Sequence, residues 1–184
     1  MPVFFTADTH FGDAHILRRR GDRFACVEEH DEALVAGWNE VVGEGDEVWH
    51  LGDFAAGASR ARCAALFARL NGTKRLVRGN HDTNRVLGLA WADPPVESAR
   101  ITAVDESGTP RRLYLAHYAH RAWPGLWRGV RHLYGHSHAV LPDTKRSCDV
   151  GVDAWGARPT ELTAILARQD AATLIPEELA LGAR

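Results

Sequence analysis

Polar clusters that interrupt apolar runs constrain this chain more than any other feature. The clearest is Leu76-Val77-Arg78-Gly79-Asn80-His81-Asp82, where two apolar residues run into Arg-Gly and then an amide, an imidazole and a carboxylate arrive in a row. Those three side chains make poor core and poor helix. At the mouth of a strand, with a glycine to let the chain turn sharply, they are suited to chemistry. Four other stretches follow the same grammar: Asp8-Thr9-His10, Gly52-Asp53, His117 and Gly135-His136-Ser137-His138. A fold for this chain must tolerate all five, so it must offer several strand exits on one side.

The first half supplies such exits. Val3 to Ala7 reads as a buried strand, Val27 to Val42 as an amphipathic helix, Glu47 to Leu51 as a second strand, Ser59 to Leu70 as a second helix and Lys74 to Val77 as a third strand. Strand and helix in alternation argue for a parallel sheet with crossover helices, and open sheets of that kind bind ligands beyond their strand ends. Arg18-Arg19-Arg20-Gly21-Asp22 reads as a charged loop. The second half changes character. Arg100 to Glu106 and Arg111 to Ala116 flank Ser107-Gly108-Thr109-Pro110 as a hairpin, His132 to Tyr134 and Cys148 to Val152 read as strands, and Thr160 to Ala167 reads as a helix started by Pro159. The change suggests two packed sheets. Residues after about Ile175 are expected to be loosely held. With 184 residues and no internal repeat or linker, a single domain over 1–184 is expected.

The totals exclude several classes. A net charge of −2 gives no global sign of nucleic-acid binding. Cys26, Cys63 and Cys148 are scattered, which argues against a zinc ribbon or a disulfide framework and fits a reducing, cytoplasmic setting. No apolar run is long enough to span a membrane, and Met1 to Thr6 lacks the basic start of a signal peptide.

Asp8 and His10 stand two apart at a strand end, where extended chain would aim both the same way, and His136 and His138 repeat that spacing. Adding Asp53, Asn80 and His117 gives an Asp/His/Asn set without thiolate, suited to Mn, Fe, Zn or Ni. Any one of these residues at a strand end is ordinarily a turn former or cap, and Asp82 reads as the cap of a following helix. His15, His30, His50 and His132 have no partner pattern and read as structural or surface residues. Trp38, Trp49, Trp155 and Cys148 read as core. What matters is the joint occurrence of the five stretches.

In this order, Asp-x-His, Gly-Asp, Gly-Asn-His-Asp, a lone His and Gly-His-x-His resemble the calcineurin-like metallophosphoesterase superfamily, with the match running from Asp8 to His138. The tail Cys148-Asp149-Val150-Gly151-Val152-Asp153-Ala154-Trp155, followed by Arg158-Pro159, is similar to a small bacterial phosphoesterase branch. The resemblance implies an α/β sandwich of two packed mixed β-sheets flanked by helices, with two divalent metal ions at one edge. Asp8, His10, Asp53 and His138 would hold the first ion; Asp53 would bridge to a second, held also by Asn80, His117 and His136. His81 would stand beside the substrate as the catalytic residue. Family members often carry a proline soon after the lone His, whereas here the run is His117-Tyr118-Ala119-His120-Arg121-Ala122-Trp123-Pro124. His120 is therefore an alternative ligand; His117 is preferred because it ends the hairpin strand.

The implied activity is hydrolysis of a phosphodiester or phosphomonoester by in-line attack of a metal-bridging hydroxide. Two such cations, two carboxylates and a hydroxide leave about one net positive charge for an anionic substrate. From Ser107 to Pro142 there is no Asp or Glu, while Arg111, Arg112, Arg121, Arg128 and Arg131 all fall there. For Arg111, Arg112 and Arg128 a solvated basic edge is favoured; Arg121 and His120 are the substrate-binding candidates. Trp123 and Trp127 would stack on a nucleobase or close the pocket. The expected partner is a small phosphoester, including nucleotides. A nuclease using the same ions is the first alternative, disfavoured because no extended basic track is visible. A non-catalytic interaction module is the second, disfavoured because every expected ligand is present.

Overall fold

The computed structural model describes residues 2–182. In chain order the elements are β1 (Val3–Thr6), α1 (Ala14–Arg20), α2 (Val27–Val41), β2 (Glu47–His50), α3 (Arg60–Arg69), β3 (Thr73–Leu76), α4 (Asn84–Leu87), β4 (Ser98–Val104), β5 (Pro110–Ala116), β6 (Arg131–Tyr134), β7 (Ser147–Asp149), β8 (Thr160–Glu161), α5 (Leu162–Ala171) and α6 (Glu177–Gly182). One four-stranded sheet has the order β3-β2-β1-β8 and the other β4-β5-β6-β7. Both are mixed. β8 runs antiparallel to β1 while β1, β2 and β3 are parallel; β4 runs antiparallel to β5 while β5, β6 and β7 are parallel. The architecture is the expected α/β sandwich with helices outside.

The pleat explains why the first strand is apolar throughout. Successive side chains point to opposite faces. Phe4 packs outward with Leu34, Trp38, Val48, Phe54 and Phe67, beneath α2 and α3. Phe5 packs inward with Leu51, Val77, Leu113, Leu115, Leu133 and Ile165, between the sheets and against α5. A smaller cluster of Tyr114, Ala116, Trp123, Leu126 and Val130 covers the far face of the second sheet.

Several boundaries differ from the sequence reading, each for a physical reason. The charged stretch Arg18–Arg20 is the last turn of α1, capped at its start by Asp13, whose carboxylate accepts from His15 N at 2.8 Å. Its buried residues are Ile16 and Arg20, so an apolar stripe was not there to be seen. Thr160 and Glu161 pair with Phe5 and Phe4 as an edge strand, and the helix begins only at Leu162 and runs to Ala171. The strand after Ser147 ends at Asp149 rather than Val152. The stretch expected to be loose forms α6, with Leu179 packed on the third cluster; residues 183–184 lie outside the described residues. No helix among the described residues is long and apolar enough to cross a membrane.

Candidate metal centre

Every polar cluster follows the C-terminal end of a strand: Asp8 and His10 follow β1, Asp53 follows β2, Asn80 and His81 follow β3, His117 follows β5, and His136 and His138 follow β6. Parallel strands of the two facing sheets open at one edge, and there the side chains gather into two groups. Asp8, His10 and His138 form one and Asp53, His117 and His136 the other, with one donor atom from each residue within 4.8 Å of its group's others. Asp53 also joins the groups. Its Oδ2 lies 3.5 Å from His10 Nε2 and 3.4 Å from His117 Nε2. Its other oxygen is taken by the amide of His81 at 2.8 Å. Asn80 Oδ1 lies 3.0 Å from His117 Nε2, on the second group's side. Asp8, His10, Asp53 and His117 are buried, whereas Asn80, His81 and His136 are exposed, so the centre opens to solvent past the second group.

The convergence of Asp8 with His10, and of His136 with His138, does not come from extended chain as the i, i+2 spacing suggested. All four residues are left-handed, with φ of 57°, 48°, 64° and 49°. Asp53 is too, at 58°. Among the described residues only Ala139 and Ala157 otherwise reach positive φ without being glycine. Asp and His tolerate this region better than most residues, but it still costs energy, and such strain persists where surroundings enforce it. Two glycines allow the enforcement. A Cβ on Gly79 would stand 2.3 Å from the Asp53 amide nitrogen, and one on Gly52 (φ 97°) would stand 2.5 Å from His117 Nδ1. The glycines of Gly52-Asp53 and Gly79-Asn80 are thus the space into which the neighbouring motif folds.

A supporting layer fixes the donors. His138 Nδ1 donates to Asp153 Oδ2 at 2.7 Å and His117 Nδ1 donates to the Leu51 carbonyl at 2.8 Å, which leaves each Nε2 free to bind a cation. Arg20, buried, donates to Asp153 through Nε at 2.8 Å and Nη2 at 3.0 Å, and to the Asp8 carbonyl at 2.6 Å. Behind it, Arg20 meets His30 Nε2, His30 Nδ1 pairs with Asp31 at 3.1 Å, and Asp31 pairs with Arg62 at 2.7 Å. Asp149 ties down the 135–139 loop, accepting from Ser137 Oγ at 2.5 Å and Ala139 N at 3.0 Å. Asp82 does not cap α4, whose N-cap is Thr83. It is buried, and accepts from the amides of Asp53, Phe54 and Gly79 at 2.8 to 2.9 Å, locking two motifs together. The sequence offers no role for Arg20, Asp149 or Asp153, and reads Asp31 only as an acid early in a helix, where the dipole favours anions. The one available signal was Asp149 and Asp153 in an otherwise apolar tail.

The donor set suits a divalent cation on independent grounds. His10 is buried with Nδ1 facing the Asp13 carboxylate at 3.3 Å, while Nε2 has only Asp53 Oδ2 at 3.5 Å and no hydrogen-bond partner among the described residues, a costly arrangement unless something else binds it. Burial pushes Asp8 well above the usual carboxylate range, and the neighbouring Asp149 and Asp53 charges add to this. Burial also lowers His10 to about 4, so its imidazole is neutral near pH 7 and available as a ligand. Asp53 is pushed up by burial but brought down to about 2 by the His117 hydrogen bond and charge, so it is ionised. His50, lowered to about 3 by burial, sits under the site and contacts Thr9 Oγ1 at 2.9 Å.

The remaining sequence candidates fall differently. His81 edges the His10 ring, with centroids 5.2 Å apart, and lines an open groove of about 370 Å³ together with Arg19, Asp53, His136 and His138. His120 packs on Tyr114 and His132 and is not in either donor group, so His117 alone of that pair lies at the centre. Arg121 is exposed and paired with Glu177 of α6. The contacts of His120 and Arg121 therefore lead away from the groove. Two residues at the groove that the sequence did not mark as site residues are Arg19, which lines it, and Tyr118, whose hydroxyl donates to Asn80 Oδ1 at 3.3 Å and whose ring lies 4.5 Å from that of His136. His15 is exposed, and His30, His50 and His132 are buried.

Comparison with known proteins gives concordant results. The family described as calcineurin-like phosphoesterase matches residues 1–151. The chain is 35% identical to the Gene 66 protein of Mycobacterium phage D29, over 83% of this chain and 88% of that protein. It is 30% identical to the Gene 66 protein of Mycobacterium phage L5, over 84% of this chain and 87% of that one. In fold it is similar to a protein of unknown function from Aquifex aeolicus, with a TM-score of 0.62 and 17% identity over 89% of this chain and 97% of the other.

Proposed function

Because this chain belongs to the calcineurin-like phosphoesterase family, we propose that it hydrolyses a small phosphodiester or phosphomonoester at a centre built for two divalent cations. The observation that carries the reading is the pair of three-residue donor groups joined by Asp53 Oδ2, which stands about equally far from His10 Nε2 and His117 Nε2. Asp8, His10 and His138 would hold one ion, and His117, His136 and the Asn80 amide oxygen the other, with Asp53 shared. Mn, Fe, Ni or Zn suits these donors. Bound there, such ions supply Lewis acidity that activates water and neutralises phosphoryl charge.

The chain's own residues do the rest. With Nδ1 of His138 turned to Asp153 and Nδ1 of His117 to the Leu51 carbonyl, each ring would present Nε2 to an ion; burial lowers His117 but the facing Asp53 carboxylate raises it above the usual imidazole value, so its Nε2 would release a proton on binding. The His81 amide, by occupying Asp53 Oδ1, directs Oδ2 to the shared position. His81 itself, exposed at the groove beside His10, would give a proton to the leaving oxygen. Arg19, lining the same groove, would draw the phosphate in. Tyr118, against Asn80 and His136, would border the substrate where the earlier candidates Arg121 and His120 have no contact.

The test is turnover of bis- and mono-p-nitrophenyl phosphate and cyclic nucleotides by protein loaded with each metal in turn. His81→Ala is expected to retain metal and lose roughly 10²–10⁴-fold in rate. Near-normal turnover in that variant would remove His81 from the chemistry. Absence of turnover with every metal would overturn the hydrolase reading.

A further inference from the structure

A second cationic surface lies apart from the metal centre. On the outer face of the second sheet a groove of about 550 Å³ runs between the β4–β5 hairpin and the 123–130 loop. Register explains its floor: Arg100 stands opposite Tyr114, and Thr102 opposite Arg112, so Arg100, Thr102 and Arg112 share one face. The loop supplies Arg128 and Trp127. It is held rigid by the Trp123 indole donating to the Val130 carbonyl at 2.9 Å and by Val130 N to the Gly125 carbonyl at 3.1 Å.

Three arginines here converge on one groove without an acidic partner. Arg111, Arg121 and Arg131, close by in sequence, pair with Asp105, Glu177 and Asp170. Arg100, Arg112 and Arg128 are exposed and make no ion pair among the described residues; Arg112 contacts only the Arg128 carbonyl. Of the acidic groups on α6, Glu177 is paired with Arg121, and Glu178 accepts from the Trp127 indole nitrogen at 2.8 Å and keeps its charge at the groove's edge, one negative charge against three arginines. That last bond fixes an indole that is still 59% exposed. An arginine on an edge strand can serve merely to deter strand pairing, but only Arg100 stands on the edge strand β4; Arg112 is on the interior strand β5 and Arg128 is in the loop. A near-neutral total charge conceals the patch.

We propose that this groove binds single-stranded nucleic acid, with Arg100, Arg112 and Arg128 taking backbone phosphates and the Trp127 ring stacking on a base. Arginine forks match phosphate oxygens, and an exposed, immobilised indole is a stacking platform indifferent to sequence. The groove is separate from the donor groups, so this binding does not depend on hydrolysis.

Fluorescence anisotropy of metal-loaded protein with a labelled ten-nucleotide dT strand, an abasic strand of equal length and a duplex tests the proposal across a salt series. The wild type is expected to prefer the dT strand. The triple variant Arg100→Gln/Arg112→Gln/Arg128→Gln is expected to bind at least tenfold more weakly, with a log–log salt slope shallower by about 2. Trp127→Ala is expected to lose roughly tenfold for dT and nothing for the abasic strand, and Trp127→Tyr to restore most of the loss. Hydrolysis of bis-p-nitrophenyl phosphate by all these variants is expected to match wild type, so a failure of catalysis and a failure of binding are read separately. Equal binding of dT and abasic strands, preference for duplex, or a triple variant indistinguishable from wild type would each overturn the proposal.

Discussion

Replacing Asp153 by Asn separates two consequences of one carboxylate. Asp153 receives His138 Nδ1 at 2.7 Å and Arg20 at 2.8 and 3.0 Å, and the Arg20 side chain is only 4% exposed. Asparagine keeps the shape and one oxygen but removes the charge. Breaking a buried ion pair by neutralising one partner costs about 3–5 kcal/mol. Arg20 keeps the Asp8 and Thr9 carbonyls, and Asp153 is 15% exposed, so the low end, about 3 kcal/mol, is expected in urea denaturation of the metal-free protein. The second consequence concerns only the Asp8, His10 and His138 group. Losing the anionic acceptor behind His138 is expected to weaken one of two metal-binding events about 10–100-fold and leave the other unchanged. Competition titration against a chelating indicator resolves the two events. If stability falls but both affinities stay within threefold of wild type, Asp153 is a structural partner of Arg20 and the argument for its hold on His138 is refuted.

Asp82→Ala leaves the amides of Asp53, Phe54 and Gly79 without their acceptor. At about 1 kcal/mol or more for each stranded donor, a loss of at least about 3 kcal/mol is expected by urea denaturation, with Asp82→Asn recovering part of it. Gly79→Ala must push a methyl group against the Asp53 backbone; metal content by elemental analysis is expected to fall along with thermal stability, whereas Gly108→Ala, at an open turn, should change stability without touching metal content. Burial holds His50 neutral in the fold down to about pH 3, while the unfolded chain takes up its proton below about 6.5. Stability is therefore lost as pH falls through that interval. Between pH 7 and 5 the metal-free His50→Phe variant is expected to lose about 2 kcal/mol less than wild type in urea titrations.

What the sequence revealed and what it hid divide along a physical line. Residues whose type alone carries the message could be read: the alternating β1-α2-β2-α3-β3 half, the glycines before Asp53 and Asn80, and the donors from Asp8 to His138. Roles assigned by burial could not. Arg20 looked like one of three surface arginines, because nothing in Arg18-Arg19-Arg20 distinguishes the one that turns inward. Asp82 has the composition of a helix cap and the position of a clamp, a difference decided by where β2 lies beside it. His120 and Arg121 were favoured for nearness along the chain to His117, but the chain turns after Tyr118 and carries them toward His132 and α6. The hairpin arginines divided by partner: Arg111 found Asp105, and Arg112, one residue on and facing the other way, found none.

Left-handed backbone at five of the seven donor positions means that the peptide framework and the cations make overlapping demands. A valine or isoleucine at Asp8 or His136 would offend the main chain before any ion were missed, so loss of function there would arrive first as misfolding. The reverse also holds: with the frame already bent by its hydrogen bonds to Arg20, Asp82 and Asp149, an arriving ion would find its cradle made, and would shed its own water and compete with the proton that burial favours on Asp8.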